Sequence, residues 1–102
     1  MSEANWAVRV EAWAEDRNLI GGSRPKDQML KLIEELGELS DAIQKNDLAA
    51  AEDAIGDASV VLCIMARQLG LFYPTCQEAA WDQIKDRKGQ MVDGVFVKEV
   101  TQ

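Results

Sequence analysis

Apolar residues recur along most of the chain at the spacing of α-helices. In the clearest case they are separated by three and four positions, which indicates one apolar face of an amphipathic helix. This pattern predicts a helix from about Lys26 to Gln44, and its apolar positions are Met29, Leu32, Ile33, Leu36, Leu39 and Ile43. No segment before the C-terminal tail alternates with a period of two, so the pattern predicts no strand there.

Turn-forming residues divide the rest of the chain into three further helices and a tail. Asp47 is a good N-cap for the third helix, and Gly70 lies near its end. Thr75, followed three residues later by Glu78, fits a capping box for the fourth helix. The predicted bounds are Ser2 to Arg17, Leu48 to Gln68 and Thr75 to Gly89. The expected fold is an all-α, antiparallel four-helix bundle, with a tail from Met91 to Val100 that forms a hairpin or an arm.

The third helix is apolar on two opposite sides. Leucine or isoleucine recurs every seventh residue on one side, and Val60, Val61 and Ile64 occupy the other. The heptad positions are Leu48, Ile55, Leu62 and Leu69. A helix that is apolar nearly all round is buried on both sides, and three other short helices can hardly cover both. We therefore expect a homodimer or homotetramer.

Acidic residues interrupt the apolar faces of the second and third helices. Asp53 and Asp57 lie one turn apart on the Val60 side, where a carboxylate is costly to bury unless it is paired or bound to a cation. Glu35 borders the apolar stripe of the second helix, and Glu38 follows one turn later. Since the short turn between these helices makes them antiparallel, the four carboxylates can meet at similar heights.

Two kinds of interpretation are open for these acids. A solvated acidic face would explain Glu34, Glu35 and Glu38 if they are considered alone. Salt bridges to a basic residue would explain the two aspartates. The candidate bases are Lys31, Lys45, Arg67 and Lys85. The alternative is a metal site, and oxygen ligands without nitrogen or sulfur suit Mg²⁺, with Mn²⁺ as a possible substitute.

Gly37 and Gly56 each lie beside an acid inside a helix, where glycine costs about 1 kcal/mol relative to alanine. Close packing of the two helices would explain both glycines. Room for a ligand beside the metal would explain them equally well.

Composition and charge narrow the chemistry further. The 102 residues form one domain, 1–102, with 18 acidic and 11 basic residues and a net charge of −7. The absence of histidine excludes serine–histidine and cysteine–histidine nucleophiles and imidazole zinc sites. The negative charge argues against nucleic-acid and membrane binding. No signal peptide or membrane span is evident, so we expect a cytoplasmic protein with reduced thiols.

The acidic motifs resemble those of the MazG-like all-α nucleoside triphosphate pyrophosphohydrolases, in particular short, phage-type members. The family signature is E-E-x-x-E, a spacer, and E-x-x-D. Glu34, Glu35 and Glu38 match the first part, and Asp57 matches the last acid. The chain departs from the signature at Ala54, where the family has an acid, and Asp53 is the neighbouring candidate.

The resemblance implies Mg²⁺-dependent cleavage of a nucleoside triphosphate between the α and β phosphates, which gives a monophosphate and pyrophosphate. It implies Glu35, Glu38, Asp53 and Asp57 as metal ligands and Glu34 as a residue that orients water or a ligand. The catalytic set is then Glu34, Glu35, Glu38 and Asp57.

Other residues have less specific patterns. Lys31, Lys85, Arg87 and Lys88 are candidate phosphate contacts, although the last three also suit a helix C-terminus. Trp6, Trp13 and Trp81 could stack on a base, but their spacing favours core packing, and Cys63 is expected to be buried. The competing function is a non-catalytic helical dimerisation or regulatory protein with a surface acidic patch.

Overall fold

A computed structural model describes residues 3–100 of the chain, which form four helices followed by a two-stranded antiparallel sheet. Ser2, the predicted start of the first helix, lies outside the described residues. The helices and strands are α1 (Glu3–Asp16), α2 (Pro25–Gln44), α3 (Leu48–Gln68), α4 (Tyr73–Ile84), β1 (Gly89–Val92) and β2 (Val95–Lys98).

Helix α3 is the centre of the helical part. It packs along α2 on one side and against α1 and α4 on the other, while α1 also contacts α4. Within the described residues α2 contacts neither α1 nor α4, so the arrangement is more open than a closed four-helix bundle. The buried apolar residues are mostly small: Ala7, Ala14, Leu32, Ala42, Ala54, Val61, Cys63, Ile64 and Ala66.

The first three helices end in the same way. Each is followed by a residue with a positive φ, which is Asn18 after α1, Asn46 after α2 and Gly70 after α3. After α3, the backbone N–H of Leu71 donates to the carbonyl oxygen of Ala66 at 2.8 Å, and equivalent bonds close α1 and α2. This Schellman arrangement satisfies carbonyl groups at the helix end and reverses the chain tightly.

The start of α3 is as predicted, and the bounds of α4 are not. The carboxylate of Asp47 accepts the N–H of Ala50 at 3.0 Å and caps α3. Helix α4 begins at Tyr73, so Thr75 lies inside its first turn and does not cap it. Pro74 is accommodated there because the first N–H groups of a helix have no partner within it. The helix ends at Ile84, five residues before the predicted end.

The faces that pack within the chain are narrower than the apolar pattern predicts. Helix α2 presents Leu32, Glu35 and Ala42 to α3, and these residues are buried. Much of the remaining apolar stripe is exposed, namely Met29, Ile33, Leu36 and Ile43. The heptad positions of α3 are also exposed, namely Leu48, Ile55, Leu62 and Leu69. The buried side of α3 is instead the one that carries Val61 and Ile64.

The C-terminal segment forms a hairpin of two short strands, which confirms the hairpin alternative for the tail and corrects the all-α fold class. Asp93 and Gly94 connect the strands, and both have a positive φ, as a type I′ turn requires. Met91 pairs with Phe96, and Val92 with Val95. The fold is therefore mostly helical with a small added sheet. Within the described residues, no helix has both the length and the apolarity to cross a bilayer.

Candidate active site

The most unusual side chain of the helical part is Glu35. It lies in the seam between α2 and α3, and only 3% of the residue is exposed to solvent. One carboxylate oxygen, Oε1, lies 3.4 Å from Nζ of Lys31, one turn earlier on α2. The other oxygen, Oε2, is buried and has no hydrogen-bond partner. Burying a carboxylate oxygen without a hydrogen-bond donor costs free energy, so this oxygen is a candidate position for a ligand.

Asp57 on α3 has a related environment. Burial raises the pKa of Asp57 above its usual value, and repulsion from Asp53 and from Glu35 raises it further, while Lys31 acts in the opposite direction. Burial also raises the pKa of Glu35, with Glu38 as the next cause. The effect of Glu35 on Asp57 places a carboxylate of α2 in the electrostatic environment of a carboxylate of α3. Perturbed carboxylates grouped in this way are common at functional sites.

The remaining predicted acids lie at the edge of this pair. Glu34, Glu38 and Asp53 are exposed. The carboxylate of Glu34 lies 3.5 Å from Nζ of Lys31, which therefore contacts both Glu34 and Glu35. Ala54, the position where the family signature has an acid, is buried and faces away from solvent.

The alternative of a salt bridge receives little support for the aspartates. Among the described ion pairs none includes Asp53 or Asp57. Two of the candidate bases have other partners, since Arg67 pairs with Glu15 at 3.1 Å and Lys85 pairs with Asp82 at 3.3 Å. Over the same residues, no three acidic or sulfur side chains stand close enough together to form a ready-made metal site.

A groove runs beside Asp57 between α1 and α3, with a volume of about 420 Å³. Its walls are formed by Trp6, Arg9, Val10, Trp13, Asp57 and Val60. Trp13 is 45% exposed and Trp81 is 55% exposed, so the core packing that was favoured for the tryptophans is wrong for these two. The helical spacing of the tryptophans is compatible with core packing and with base stacking. The exposure of one side of α1 distinguishes the two for Trp13.

The two helix glycines are not explained by close packing. A Cβ atom added to Gly37 or to Gly56 would meet no neighbouring atom within 4 Å. Within the described residues the helices leave open space at both positions, beside the acids. Cys63 is fully buried, as expected, and burial raises the pKa of its thiol to about 11.

The predicted phosphate contacts separate into two groups. Lys31 lies among the acids and is part of their charge balance. Lys85, Arg87 and Lys88 follow the end of α4, and none of them affects the pKa of Glu35 or Asp57. Within the described residues none of the three forms an ion pair with an acid of α2 or α3, and Lys85 pairs with Asp82 instead.

Comparisons with known proteins identify the family of the chain. The family model of the MazG nucleotide pyrophosphohydrolase domain matches residues 24–90, which include Glu34, Glu35, Glu38, Asp53 and Asp57. An uncharacterized 18.2 kDa protein from the rep-hol intergenic region of Haemophilus phage HP1 is 49% identical over 59 residues. That alignment covers 58% of this chain and 36% of the relative. No solved structure matches the chain. Since the family model spans well over half of the chain, this protein belongs to the MazG nucleotide pyrophosphohydrolase family.

Proposed function

We propose that the protein is a Mg²⁺-dependent nucleoside triphosphate pyrophosphohydrolase, which cleaves an NTP or dNTP to the monophosphate and pyrophosphate. The observation that carries the proposal is the buried, unpartnered Oε2 of Glu35, in the same electrostatic environment as Asp57. Turnover of the nucleotide pool in the cytoplasm is the role that we propose for this activity.

The residues present fit a magnesium ion. All candidate donors are carboxylate oxygens, which Mg²⁺ prefers, and the buried oxygen of Glu35 has no competing donor. Glu35, Glu38 and Asp57 would hold the ion. Asp53 would replace the acid that the family signature has at position 54, where this chain has alanine. When bound, Mg²⁺ or Mn²⁺ supplies neutralisation of phosphate charge and a more acidic bound water. Unneutralised carboxylates repel one another, which is consistent with a site that tightens only around a cation.

The surrounding side chains divide the remaining tasks. Lys31, which contacts both Glu34 and Glu35, is placed to keep the buried carboxylate ionised and ready for a cation. Glu34 is exposed at the rim, where its free acceptor capacity can orient the attacking water. Open space at Gly37 and Gly56 leaves the phosphates a path to the acids.

The groove between α1 and α3 suits the nucleoside. The indole rings of Trp6 and Trp13 line the groove, and Arg17 lies over one face of the Trp13 ring, 4.5 Å from its centroid. Asp57 at the same wall connects the groove to the acids. Stacking of a base on an aromatic side chain contributes about 1–3 kcal/mol. In this arrangement the base lies against α1 while the phosphates point toward the seam between α2 and α3.

We further propose that the protein is a homo-oligomer, a homodimer or a homotetramer. Ile33 and Leu36 of α2 are at least half exposed, and so is most of the heptad face of α3. Apolar areas of this extent on a small domain are typical of surfaces that a partner covers.

A non-catalytic regulatory protein remains the competing function, and burial of acids separates the two. A surface acidic patch for solubility or recognition would not place Glu35 in an interhelical seam, since burial of a charge without a partner is costly. The test is a screen of the common NTPs and dNTPs with Mg²⁺ for release of pyrophosphate. Release from at least one of them supports the proposal, and no hydrolysis with Mg²⁺ or Mn²⁺ would favour the regulatory protein.

A further inference from the structure

Residues 85–98, hereafter the arm, lie apart from the helices. The two strands contact each other, and in the described part of the chain neither packs against a helix. Every residue of the arm is exposed. The radius of gyration is 16.3 Å, whereas a compact domain of this length has a radius of about 13 Å. The arm therefore projects from the molecule.

The arm is apolar on both faces. Met91 and Phe96 share one face, and the valines at 92, 95 and 97 share the other. A two-stranded hairpin alone is at best marginally stable in water, and exposed apolar faces on both sides lower its solubility further. Such a hairpin is expected to be covered by another surface.

The base of the arm carries three basic residues together with the acids Asp86 and Glu99. Arg87, Lys88 and Lys98 line a hollow of about 590 Å³, and the two lysines also line an adjoining hollow of about 360 Å³. None of the three takes part in an ion pair among the described residues. The arm carries four basic residues against two acidic ones, whereas residues 1–84 carry seven basic against 15 acidic.

A second copy of this chain offers the complementary surface. Its α2–α3 pair exposes the acids Glu34, Glu38 and Asp53 beside the apolar residues Ile33 and Leu36. The arm does not cover this surface in its own chain, because over the residues that the structure describes neither of its strands contacts α2 or α3. The basic and apolar residues of the arm therefore complement the acidic and apolar residues of the α2–α3 surface of a second copy.

We infer that the arm of one copy docks on the α2–α3 surface of a second copy and completes its site, with Lys88 and Lys98 as the contacts to the substrate's phosphates. The inference rests on the proposed function, because it supplies cations to a site that takes a polyphosphate. Among the described residues, Lys31 is the cation paired with Glu35, and Arg9 lines the groove beside Asp57. Charge-assisted contacts from lysine are well suited to the terminal phosphates.

Complementation between two inactive variants tests the exchange. One variant carries Asp57→Asn and an intact arm, and the other carries Arg87→Ala, Lys88→Ala and Lys98→Ala with intact acids. Co-production with two different tags yields hybrids in which the arm of the first variant meets the acids of the second. Random pairing should restore about a quarter of wild-type activity, since half of the dimers are hybrid and each has one intact site. The matched control Lys26→Ala should keep wild-type activity.

The outcomes are distinct. Restored pyrophosphate release in the hybrid supports the inference. An inactive hybrid, made from an arm variant that folds normally but is inactive alone, would show that the arm acts within its own chain. An arm variant with full activity would also overturn the inference. A wild-type protein without activity would instead contradict the proposed function.

A second measurement is independent of activity. A photoreactive residue at position 96 in one isotopically labelled copy should cross-link to α2 or α3 of an unlabelled copy in a mixed sample. Cross-links confined to one chain, or to a different surface of the second copy, would overturn the inference even if the enzyme is active. Added nucleic acid should not compete, and competition would indicate that the basic arm binds that polymer instead.

Discussion

Lys31 Nζ lies 3.4 Å from Oε1 of Glu35, while the second oxygen of the same carboxylate is buried without a partner. The lysine thus compensates one half of a buried charge and leaves the other half available. Lys31 also contacts the carboxylate of Glu34, so one ammonium group is shared between two acids. Under the proposed function, the second oxygen of Glu35 is the one that would take a metal ion.

The first prediction concerns pH and metal. The pKa values of Glu35 and Asp57 are raised in the folded state. In metal-free buffer the free energy of unfolding should therefore fall as the pH rises above the ordinary pKa of a carboxyl group. The sign follows because the folded state holds these protons more tightly than the unfolded state. Mg²⁺ should raise Tm, and by more at neutral than at acidic pH, because it binds the ionised carboxylates.

Thermal melts across pH measure this effect. Glu35→Gln should make the fall of Tm with rising pH less steep in metal-free buffer. It should also reduce the increase in Tm that Mg²⁺ causes. Glu52→Gln, at an exposed position on α3, is the matched control and should change neither. A wild-type Tm that is insensitive to Mg²⁺ at neutral pH would contradict the prediction.

The second prediction grades the metal ligands. Glu38→Gln and Asp57→Asn retain shape but remove charge, so each should lower kcat/KM by about a hundredfold or more while the fold is kept. Asp53→Asn should resemble Asp57→Asn if the neighbour of Ala54 acts as the fourth ligand. Activity of Asp53→Asn within a few-fold of wild type would make it a bystander. Near-normal activity of both Glu38→Gln and Asp57→Asn would mean that the site lies elsewhere.

The third prediction concerns the groove beside Asp57. Trp13→Ala removes an aromatic wall, so KM should rise about tenfold while kcat changes little, because stacking holds the base in ground and transition states alike. Trp81→Ala is a control of the same size at an exposed position outside the groove. Steady-state kinetics compare the two variants. An equal effect of both substitutions would argue against base binding between α1 and α3.

The fourth prediction concerns assembly. The exposed heptad face of α3 should be buried between copies, so the combined change Leu62→Glu and Leu69→Glu should dissociate the oligomer. Light scattering should report a multiple of 11.3 kDa for the wild type and a shift toward that mass for the variant. Thr75→Glu, exposed on α4, should leave the mass unchanged. A wild-type monomer at micromolar concentration would refute the prediction.

Local signals in the sequence were enough to predict the first three helices. Periodicity located α2 and α3, and Asp47 and Gly70 marked the ends of α3 through capping geometry that depends on nearby residues only. The start of α4 could not be predicted as reliably, since Thr75 and Glu78 have the spacing of a capping box but Pro74 already fits the first turn.

Tertiary context decided the rest. Periodicity shows that Ile33 and Leu62 belong to apolar faces, but it cannot tell whether their cover comes from the same chain or from another copy. The same limit applies to Trp13, whose helical spacing suits a core or a groove. The grouping of Glu35 and Asp57 was predictable because an antiparallel turn fixes the relative height of the two helices.

The identity of the products tests the central claim most directly. Phosphorus NMR of the best substrate from the nucleotide screen should show the nucleoside monophosphate and pyrophosphate, formed only when Mg²⁺ or Mn²⁺ is present and absent with Asp57→Asn. Formation of a nucleoside diphosphate and orthophosphate, or equal turnover by Asp57→Asn, would contradict the account.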